Sequence, residues 1–139
     1  MIAVTENKLI AHALIKLNNK FLIIKRTKIK RNQPNVFPDY WDIPGGTVEN
    51  GELPQEAAKR EVLEETNQKI HITGIVYEDS NYDVKKDIIF TRLVYKGEIL
   101  EKREILLDPE EHTQYALVKT IPTQEKVVDY LINILNHVQ

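Results

Sequence analysis

The chain has 139 residues, of which 42% are hydrophobic, so it is long enough for one domain with a substantial buried core. It has no cysteine, which excludes disulfide frameworks, thiol nucleophiles and cysteine metal sites. A formal net charge of −2 gives no global electrostatic reason to bind nucleic acid polymers or membranes. The sequence shows neither a signal peptide nor a membrane-spanning segment. We therefore expect a single cytoplasmic domain over residues 1–139.

The first part of the chain predicts a β-hairpin followed by a polar loop. Two strand-like runs, residues 9–17 and 20–25, are joined by Asn18-Asn19, a dipeptide that favours a tight hairpin turn. The polar loop covers residues 27–40 and leads into the most informative part of the sequence.

A glycine pair and a cluster of glutamates stand out in the next segment. Gly45-Gly46 predicts a turn whose backbone can approach a ligand closely, because glycine has no Cβ. Side chains three or four positions apart share one face of a helix, so Glu61 lines up with Glu64 and Glu65. Mg²⁺ binds through a few carboxylates and keeps waters and substrate phosphates in its other positions. The segment predicts a magnesium site for cleaving a phosphate-containing substrate. A solvated acidic helix face is the alternative, but it leaves the glycine pair unexplained.

The helix that carries these glutamates is expected to begin near Pro54, since proline suits the first helical turn. Ala57, Ala58, Val62 and Leu63 are expected to form its buried side, which leaves the glutamates on the other side.

The remaining chain predicts more strands and a final helix. Strands are expected at residues 69–78 and 86–96, with Gly97 turning the chain into a third strand near 99–106, and a short strand at 115–118. Thr123 is expected to cap a C-terminal helix. The apolar residues of that helix recur at helical spacing: Val127, Val128, Leu131, Ile134, Leu135 and Val138. One mixed sheet between helices, of the α/β class, is the inferred architecture.

The glycine and glutamate segment resembles the signature of the Nudix hydrolases. That signature reads glycine, five residues, Glu, seven residues, Arg-Glu, an aliphatic residue, any residue, Glu-Glu, any residue, glycine and an aliphatic residue. The match runs from Gly46 to Gln68 and includes the fixed polar positions Glu52, Arg60, Glu61, Glu64 and Glu65.

The last two signature positions depart from the pattern. Asn67 replaces the glycine, and Asn is the residue after glycine that best tolerates the left-handed conformation at a helix end. Gln68 replaces the aliphatic residue, and Ile70 could supply the apolar anchor that is lost.

The resemblance implies an α/β/α sandwich with a mixed β-sheet. It also implies Mg²⁺-dependent hydrolysis of a nucleoside diphosphate linked to another group, with Mn²⁺ as a substitute. Magnesium would neutralise charge on the phosphates and lower the pKa of a bound water.

The resemblance also implies roles for individual residues. Glu61, Glu64 and Glu65, with the Gly45 backbone carbonyl or its neighbour, are the expected metal ligands. One of these glutamates, or a metal-bound water, can also take part in proton abstraction, so Glu61 and Glu64 are catalytic candidates. Arg60 is expected to orient a carboxylate by a charge-assisted hydrogen bond. Behind the ligands, Glu52 is expected to hold the loop against the helix, together with Gly46.

A general base outside the signature is expected on a late loop, as in many Nudix enzymes. The stretch Glu110-Glu111-His112 resembles that loop. Glu111 is the favoured base or extra ligand and Glu110 the second choice, with a simple polar turn as the alternative. His112 is expected to face solvent, with assistance to the reaction at that loop as the alternative. Lys28, Lys30 and Arg31 could guide a polyphosphate, although a solvated basic loop explains them at least as well.

The sequence predicts the family more precisely than it predicts the substrate. Compact size favours a nucleoside triphosphate that is split into nucleoside monophosphate and pyrophosphate. Val84 stands where the ADP-ribose enzymes of the family have a proline, about sixteen residues after the signature. ADP-ribose or a nucleotide sugar is the alternative substrate. A non-catalytic Nudix module that senses a nucleotide is the alternative of another class, and a homodimer is left open.

Overall fold

The computed structural model describes residues 4–122 and 124–138, in which nine strands and two helices are present. In chain order the elements are β1 (Glu6–Leu17), β2 (Lys20–Arg26), β3 (Ile29–Lys30), β4 (Gln33–Pro34), β5 (Trp41–Asp42), β6 (Gly45–Thr47), α1 (Pro54–Thr66), β7 (Ile70–Asp83), β8 (Ile88–Ile99), β9 (His112–Val118) and α2 (Asp129–Val138).

A seven-stranded mixed sheet forms the centre of the fold. Its main path runs β5-β2-β1-β8-β7, with β6 also paired to β1 and β9 paired to β2. Strands β1 and β8 are parallel, whereas the other pairs in this sheet are antiparallel. Strands β3 and β4 form a separate two-stranded ribbon within the predicted polar loop.

Both faces of the sheet are covered by a helix. Successive side chains of a strand point to opposite faces, and β1 shows this clearly. Leu14 packs with Leu131 of α2, whereas Ala13 and Ile15 pack with Val62 of α1. Because neither face is solvated at its centre, residues 11–15 are all buried. The predicted α/β/α sandwich with a mixed sheet is confirmed.

The predicted hairpin is confirmed, but the predicted turn at the glycine pair is wrong. Asn18 and Asn19 have φ values of 50° and 64° and join two paired strands. Gly45 and Gly46 instead lie in β6, where they pair with β1 in an extended conformation. The positive φ in this segment belongs to Gly51, at 82°.

The third strand expected near residues 99–106 is absent from the described part of the chain. Gly97 does not turn the chain but lies inside β8. A Cβ at Gly97 would lie 2.9 Å from Cδ1 of Ile70, so this glycine makes room for a core side chain. The segment after β8 packs on the end of α1, where the Leu106 N–H donates to the Thr66 carbonyl at 3.1 Å.

Helix α2 begins later than its apolar spacing predicts. Val127 and Val128 precede the helix, and Val127 forms a β-bridge with Trp41. Both valines are buried in the same cluster as the helix residues, which explains why their spacing fits a longer helix. The expected cap, Thr123, lies outside the described residues.

Helix α1 agrees with its prediction at Pro54 and at three of its buried residues, Ala57, Ala58 and Val62. Leu63 is 41% exposed, so the expectation that it is buried is wrong. It follows Val62 directly on the helix and therefore points about a quarter turn away from the core. Asn67 ends the helix with φ of 65°, as expected of a left-handed cap.

Gln68 is an anchor itself, although it is not apolar. Its side chain is buried, and its Nε2 donates to the carbonyls of Arg103 and Glu104, both at 3.1 Å. Ile70 is buried in the core as expected.

Neither described helix is long and apolar enough to cross a membrane. The extent of the domain, residues 1–139, stays a prediction.

Candidate active site

The polar face of α1, strand β6 and two loops enclose a cavity of about 930 Å³, here called the first cavity. Most of the predicted site residues line it: Arg31, Gly45, Gly46, Arg60, Glu61, Glu64, Glu65 and Glu111. Lys28 and Glu52 do not. Residues separated by as much as 80 positions in the chain therefore meet at one place, which is what a site for a small molecule requires.

Glu65 is one of two deeply buried acids of the first cavity, the other being Asp42. It is 3% exposed, and the Gly45 N–H donates to its Oε1 at 3.4 Å. Burial, followed by the neighbouring carboxylates of Glu61, Glu111 and Asp42, raises the pKa of Glu65 well above its ordinary value. Repulsion among these groups is what a bound cation would relieve.

Glu61 reaches the same place because Gly46 has no side chain. A Cβ on Gly46 would lie 2.6 Å from Oε1 of Glu61 and 2.7 Å from its carboxyl carbon. The extended glycine pair therefore provides space for a carboxylate rather than a turn.

Arg60 binds several carboxylates at once and fixes their positions. Its Nε donates to Oε2 of Glu52 at 2.8 Å and its Nη2 to Oε1 of the same residue at 3.0 Å. Its Nη1 donates to Oε1 of Glu61 at 3.0 Å. The hydrogen bonds from Arg60, followed by one from the Glu49 backbone, lower the pKa of Glu52 to about 2. The Glu52 carboxylate also accepts the Glu49 N–H at 3.1 Å, so it ties the loop before α1 to the helix.

Glu64 lies at the edge of this arrangement. Its side chain is 57% exposed and 3.4 Å from Nη1 of Arg60. It shares the helix face with Glu61 as the spacing predicts, but it is much less enclosed than Glu65.

The carboxylate oxygens in the first cavity are ligands of the kind that a hard divalent cation prefers. Glu61 and Glu65 bring carboxylates together at the buried end of the cavity, and the missing Cβ of Gly46 accommodates one of them. Among residues 4–122 and 124–138, no group of three or more His, Asp or Glu side chains is already gathered around one point. The ligand roles of Glu61, Glu64, Glu65 and the Gly45 carbonyl stay predictions.

Glu111 lies across the cavity and is held by the basic loop. Its Oε1 is 2.6 Å from Nζ of Lys30 and 4.0 Å from Nη2 of Arg31. Arg31 therefore lies at the cavity wall with Lys30. Lys28 has a side chain that is 77% exposed and lies 3.7 Å from Asp39, away from this wall.

His112 is buried, so the expectation that it faces solvent is wrong. It is 6% exposed, and its Nδ1 lies 3.8 Å from Oε2 of Glu65 without a hydrogen-bond partner. Burial is the main reason that the pKa of His112 falls to about 4. It starts β9, which pairs with β2, and this pairing turns the residue inward.

Sequence reasoning missed a second group of polar residues in the cavity. Asp42 is 2% exposed and accepts hydrogen bonds from the Tyr130 hydroxyl at 2.5 Å and from Arg26 at 3.2 Å. His12 accepts a hydrogen bond from Nε of Arg92 on its Nε2 at 3.1 Å, and its Nδ1 lies 3.2 Å from the Ile43 carbonyl. Asp42 stands between the apolar residues Trp41 and Ile43. A charged residue in such a position is the one signal in the sequence that could have pointed to Asp42.

Comparisons with known proteins agree with this fold. The family model described as the NUDIX domain matches residues 7–127. The nucleoside triphosphatase NudI of Escherichia coli O139:H28 (strain E24377A / ETEC) is 29% identical over 130 residues, covering 87% of this chain and 85% of that protein. The crystal structure of a MutT NUDIX hydrolase from Burkholderia pseudomallei shares the fold with a TM-score of 0.80 and 20% identity, over 96% of this chain and 99% of that one. The MutT protein from Methanosarcina mazei Go1 shares it with a TM-score of 0.75 and 24% identity, over 97% and 94%. The chain therefore belongs to the Nudix family and is a hydrolase of the pyrophosphohydrolase type.

Proposed function

We propose that this protein hydrolyses a nucleoside triphosphate to a nucleoside monophosphate and pyrophosphate, and that the reaction depends on Mg²⁺. The observation that carries this proposal is the pair formed by half-buried Glu61 and buried Glu65, which faces a cavity whose opposite wall carries Lys30 and Arg31. The relative named as a nucleoside triphosphatase supports the substrate class.

Glu61 and Glu65 would hold the cation, with Glu64 completing the set from the cavity edge. When bound, Mg²⁺ would neutralise charge on phosphate oxygens and acidify water. The bidentate contact between Arg60 and Glu52 would keep the Glu61 carboxylate in place before the cation arrives, so less ordering is needed on binding.

The basic loop would bind the charged end of the substrate. Lys30, Arg31 and Arg26 line the cavity, and a polyphosphate would be drawn towards them. Since Lys30 holds Glu111 at 2.6 Å, a phosphate that engages Lys30 would loosen this ion pair. Glu111 would then be available to accept a proton as the general base.

Substitution of Glu111 by Gln tests the base. We expect turnover to fall by about 100-fold or more, the usual contribution of a general base, with little change in stability. Glu110→Gln is the matched control, because Glu110 is exposed and is not among the residues lining the cavity. Equal activity of both variants would assign Glu111 to the surface loop instead.

Product analysis tests the function as a whole. The purified protein is incubated with nucleoside triphosphates, their oxidised forms, ADP-ribose and nucleotide sugars, with and without Mg²⁺, and products are identified by chromatography. Mg²⁺-dependent release of pyrophosphate and nucleoside monophosphate is expected. Cleavage of ADP-ribose or a nucleotide sugar alone would replace the substrate, and binding without any cleavage would favour a nucleotide-sensing module.

A further inference from the structure

The backbone that carries Glu111 is held by one buried residue, Thr27. Thr27 follows β2 directly and is 5% exposed. Its N–H donates to the Glu111 carbonyl at 3.0 Å, and its hydroxyl donates to the Glu110 carbonyl at 3.0 Å. Two hydrogen bonds from a single residue therefore fix the course of the chain at Glu111, whose side chain lines the first cavity.

Strand pairing alone does not place Glu111. The register of β2 against β9 shifts between Lys25 and Arg26, and β9 begins at His112, one residue after Glu111. Such an irregularity bends a strand and interrupts its ladder. Glu111 thus lies just beyond the regular pairing, and the hydrogen bonds from Thr27 supply the restraint there.

The Thr27 hydroxyl is itself fixed by a line of polar side chains. Its Oγ1 accepts a hydrogen bond from Nδ2 of Asn35 at 3.2 Å. Oδ1 of Asn35 in turn accepts from Nη2 of Arg26 at 3.2 Å, and Nη1 of Arg26 donates to buried Asp42 at 3.2 Å. Since a hydroxyl has a single hydrogen, the bond accepted from Asn35 leaves that hydrogen for the Glu110 carbonyl. The four side chains are here called the Thr27 network: Asp42, Arg26, Asn35 and Thr27.

The Thr27 network also closes the basic ribbon. The Asn35 N–H donates to the Lys28 carbonyl at 3.0 Å, which joins the two ends of the ribbon formed by β3 and β4. This ribbon carries Lys30, whose Nζ lies 2.6 Å from Oε1 of Glu111. Glu111 is therefore placed from two directions, its backbone by Thr27 and its side chain by Lys30.

We propose that Thr27 is a positioning residue for Glu111 and that Asn35 supports it. This rests on the proposed function, in which Glu111 is the general base. A phosphate that engages Lys30 would release the Glu111 side chain, whereas the hydrogen bonds from Thr27 go to the backbone and would persist. A base must lie within hydrogen-bonding reach of the proton it accepts, and a displacement of about 1 Å can cost about 100-fold in rate. The Thr27 network thus lets the side chain become free while the base keeps its place.

Removal of the Thr27 hydroxyl tests this inference. Thr27→Val keeps the branched shape and is expected to lower kcat by about tenfold or more. KM for the nucleoside triphosphate should change little, because Lys30 and Arg31 remain at the cavity wall. Thr27→Ser keeps the hydroxyl and is expected to recover most of the rate. Thr73→Val is the matched control, because it removes a hydroxyl that lies 3.4 Å from the Lys96 carbonyl, outside the first cavity.

A double variant separates positioning of the base from general support of the fold. If Thr27 acts through Glu111, Thr27→Val combined with Glu111→Gln should be as slow as Glu111→Gln alone, because the base is already missing. Asn35→Ala leaves Thr27 in place and should behave in the same way, so it keeps the test decisive if Thr27→Val loses stability. Losses that multiply in the double variants would overturn the inference.

Amide hydrogen exchange of the metal-free protein gives a readout without turnover. The protection factor of the residue 27 amide is expected to fall about five- to tenfold in Thr27→Val, because its acceptor, the Glu111 carbonyl, is held less firmly. A protection factor equal to that in Thr73→Val would also overturn the inference. Failure of the proposed function is a different result, namely no pyrophosphate release by the wild type or full activity of Glu111→Gln. Hydrogen exchange alone then decides whether Thr27 positions Glu111.

Discussion

Burial of Glu65 costs the fold free energy, because its carboxylate lies among Glu61, Glu111 and Asp42 with little access to water. A residue that works against stability in this way is expected to be retained for its chemistry. The same argument separates it from Glu64, which is mostly exposed and costs the fold little.

Glu65→Gln should abolish this chemistry without harming the fold. We expect turnover to fall by more than about 100-fold, beyond the upper range for residues that only support a metal ligand. The melting temperature of the metal-free protein should stay equal or rise, because the substitution removes a buried repulsive charge. Steady-state assays with Mg²⁺ and thermal unfolding in EDTA measure the two effects. Near-normal turnover would refute the ligand assignment.

Glu52 acts on the site through Arg60 rather than by lining the cavity. Glu52→Gln should lower activity by about 10- to 100-fold, because Arg60 then loses its main partner and holds Glu61 less firmly. Glu56→Gln is the control, since Glu56 is an exposed acid on the same helix that pairs with Lys59. A Mg²⁺ titration of activity should show weaker activation for Glu52→Gln alone. Equal Mg²⁺ dependence of the two variants would argue against this role.

At the scale of elements, the end of α1 is held by polar contacts where the family signature has an aliphatic residue. Gln68 reaches the carbonyls of the segment after β8, and Asn67 donates to the Glu104 carbonyl at 3.1 Å while accepting from Arg103 at 2.8 Å. These contacts dock residues 103–104 against the helix that carries the glutamates.

Restoring an aliphatic residue at position 68 should therefore destabilise the protein. Gln68→Leu removes the buried amide that donates to the Arg103 and Glu104 carbonyls, and only the Glu104 carbonyl keeps a donor, from Asn67, so we expect a loss of about 1–3 kcal/mol in the free energy of unfolding. The same change at exposed Gln55 on α1 should alter it by less than about 0.5 kcal/mol. Urea denaturation of both variants measures the difference. A Gln68→Leu protein as stable as the wild type would mean that the segment after β8 does not depend on these bonds.

For the molecule as a whole, buried titratable groups make stability depend on pH. The folded pKa of His112, about 4, lies below its ordinary value of 6.5. Between those values the unfolded chain takes up a proton that the folded chain does not, so the free energy of unfolding falls as the pH falls through this window. Glu65 has the opposite sign, because its raised pKa lets the folded protein take up a proton first.

Comparison with a His112 variant isolates the first effect. The wild type should lose up to about 3 kcal/mol more than His112→Gln on going from pH 6.5 to pH 4 in EDTA. The same substitution at exposed His71 should leave the pH profile of the wild type unchanged. Urea denaturation at several pH values checks both. Parallel profiles for the wild type and His112→Gln would show that burial of His112 does not control acid stability.

Local patterns in the sequence determined the family, the hairpin, helix α1 and the face that carries Glu61, Glu64 and Glu65. These features depend on residues a few positions apart, where helical spacing and turn chemistry act directly. The glycine pair lines the first cavity, but the space that Gly46 leaves for Glu61 depends on β6 lying against α1.

Tertiary structure alone decided which distant residues complete the site. Asp42 and Tyr130 are separated by 88 positions, yet they share a hydrogen bond because α2 packs over the sheet beside β5. His112 turns inward only because β9 pairs with β2, and Arg92 reaches His12 only because β8 lies beside β1. A single sequence carries no direct sign of such pairings, since their free energy comes from burial and strand pairing between segments far apart in the chain.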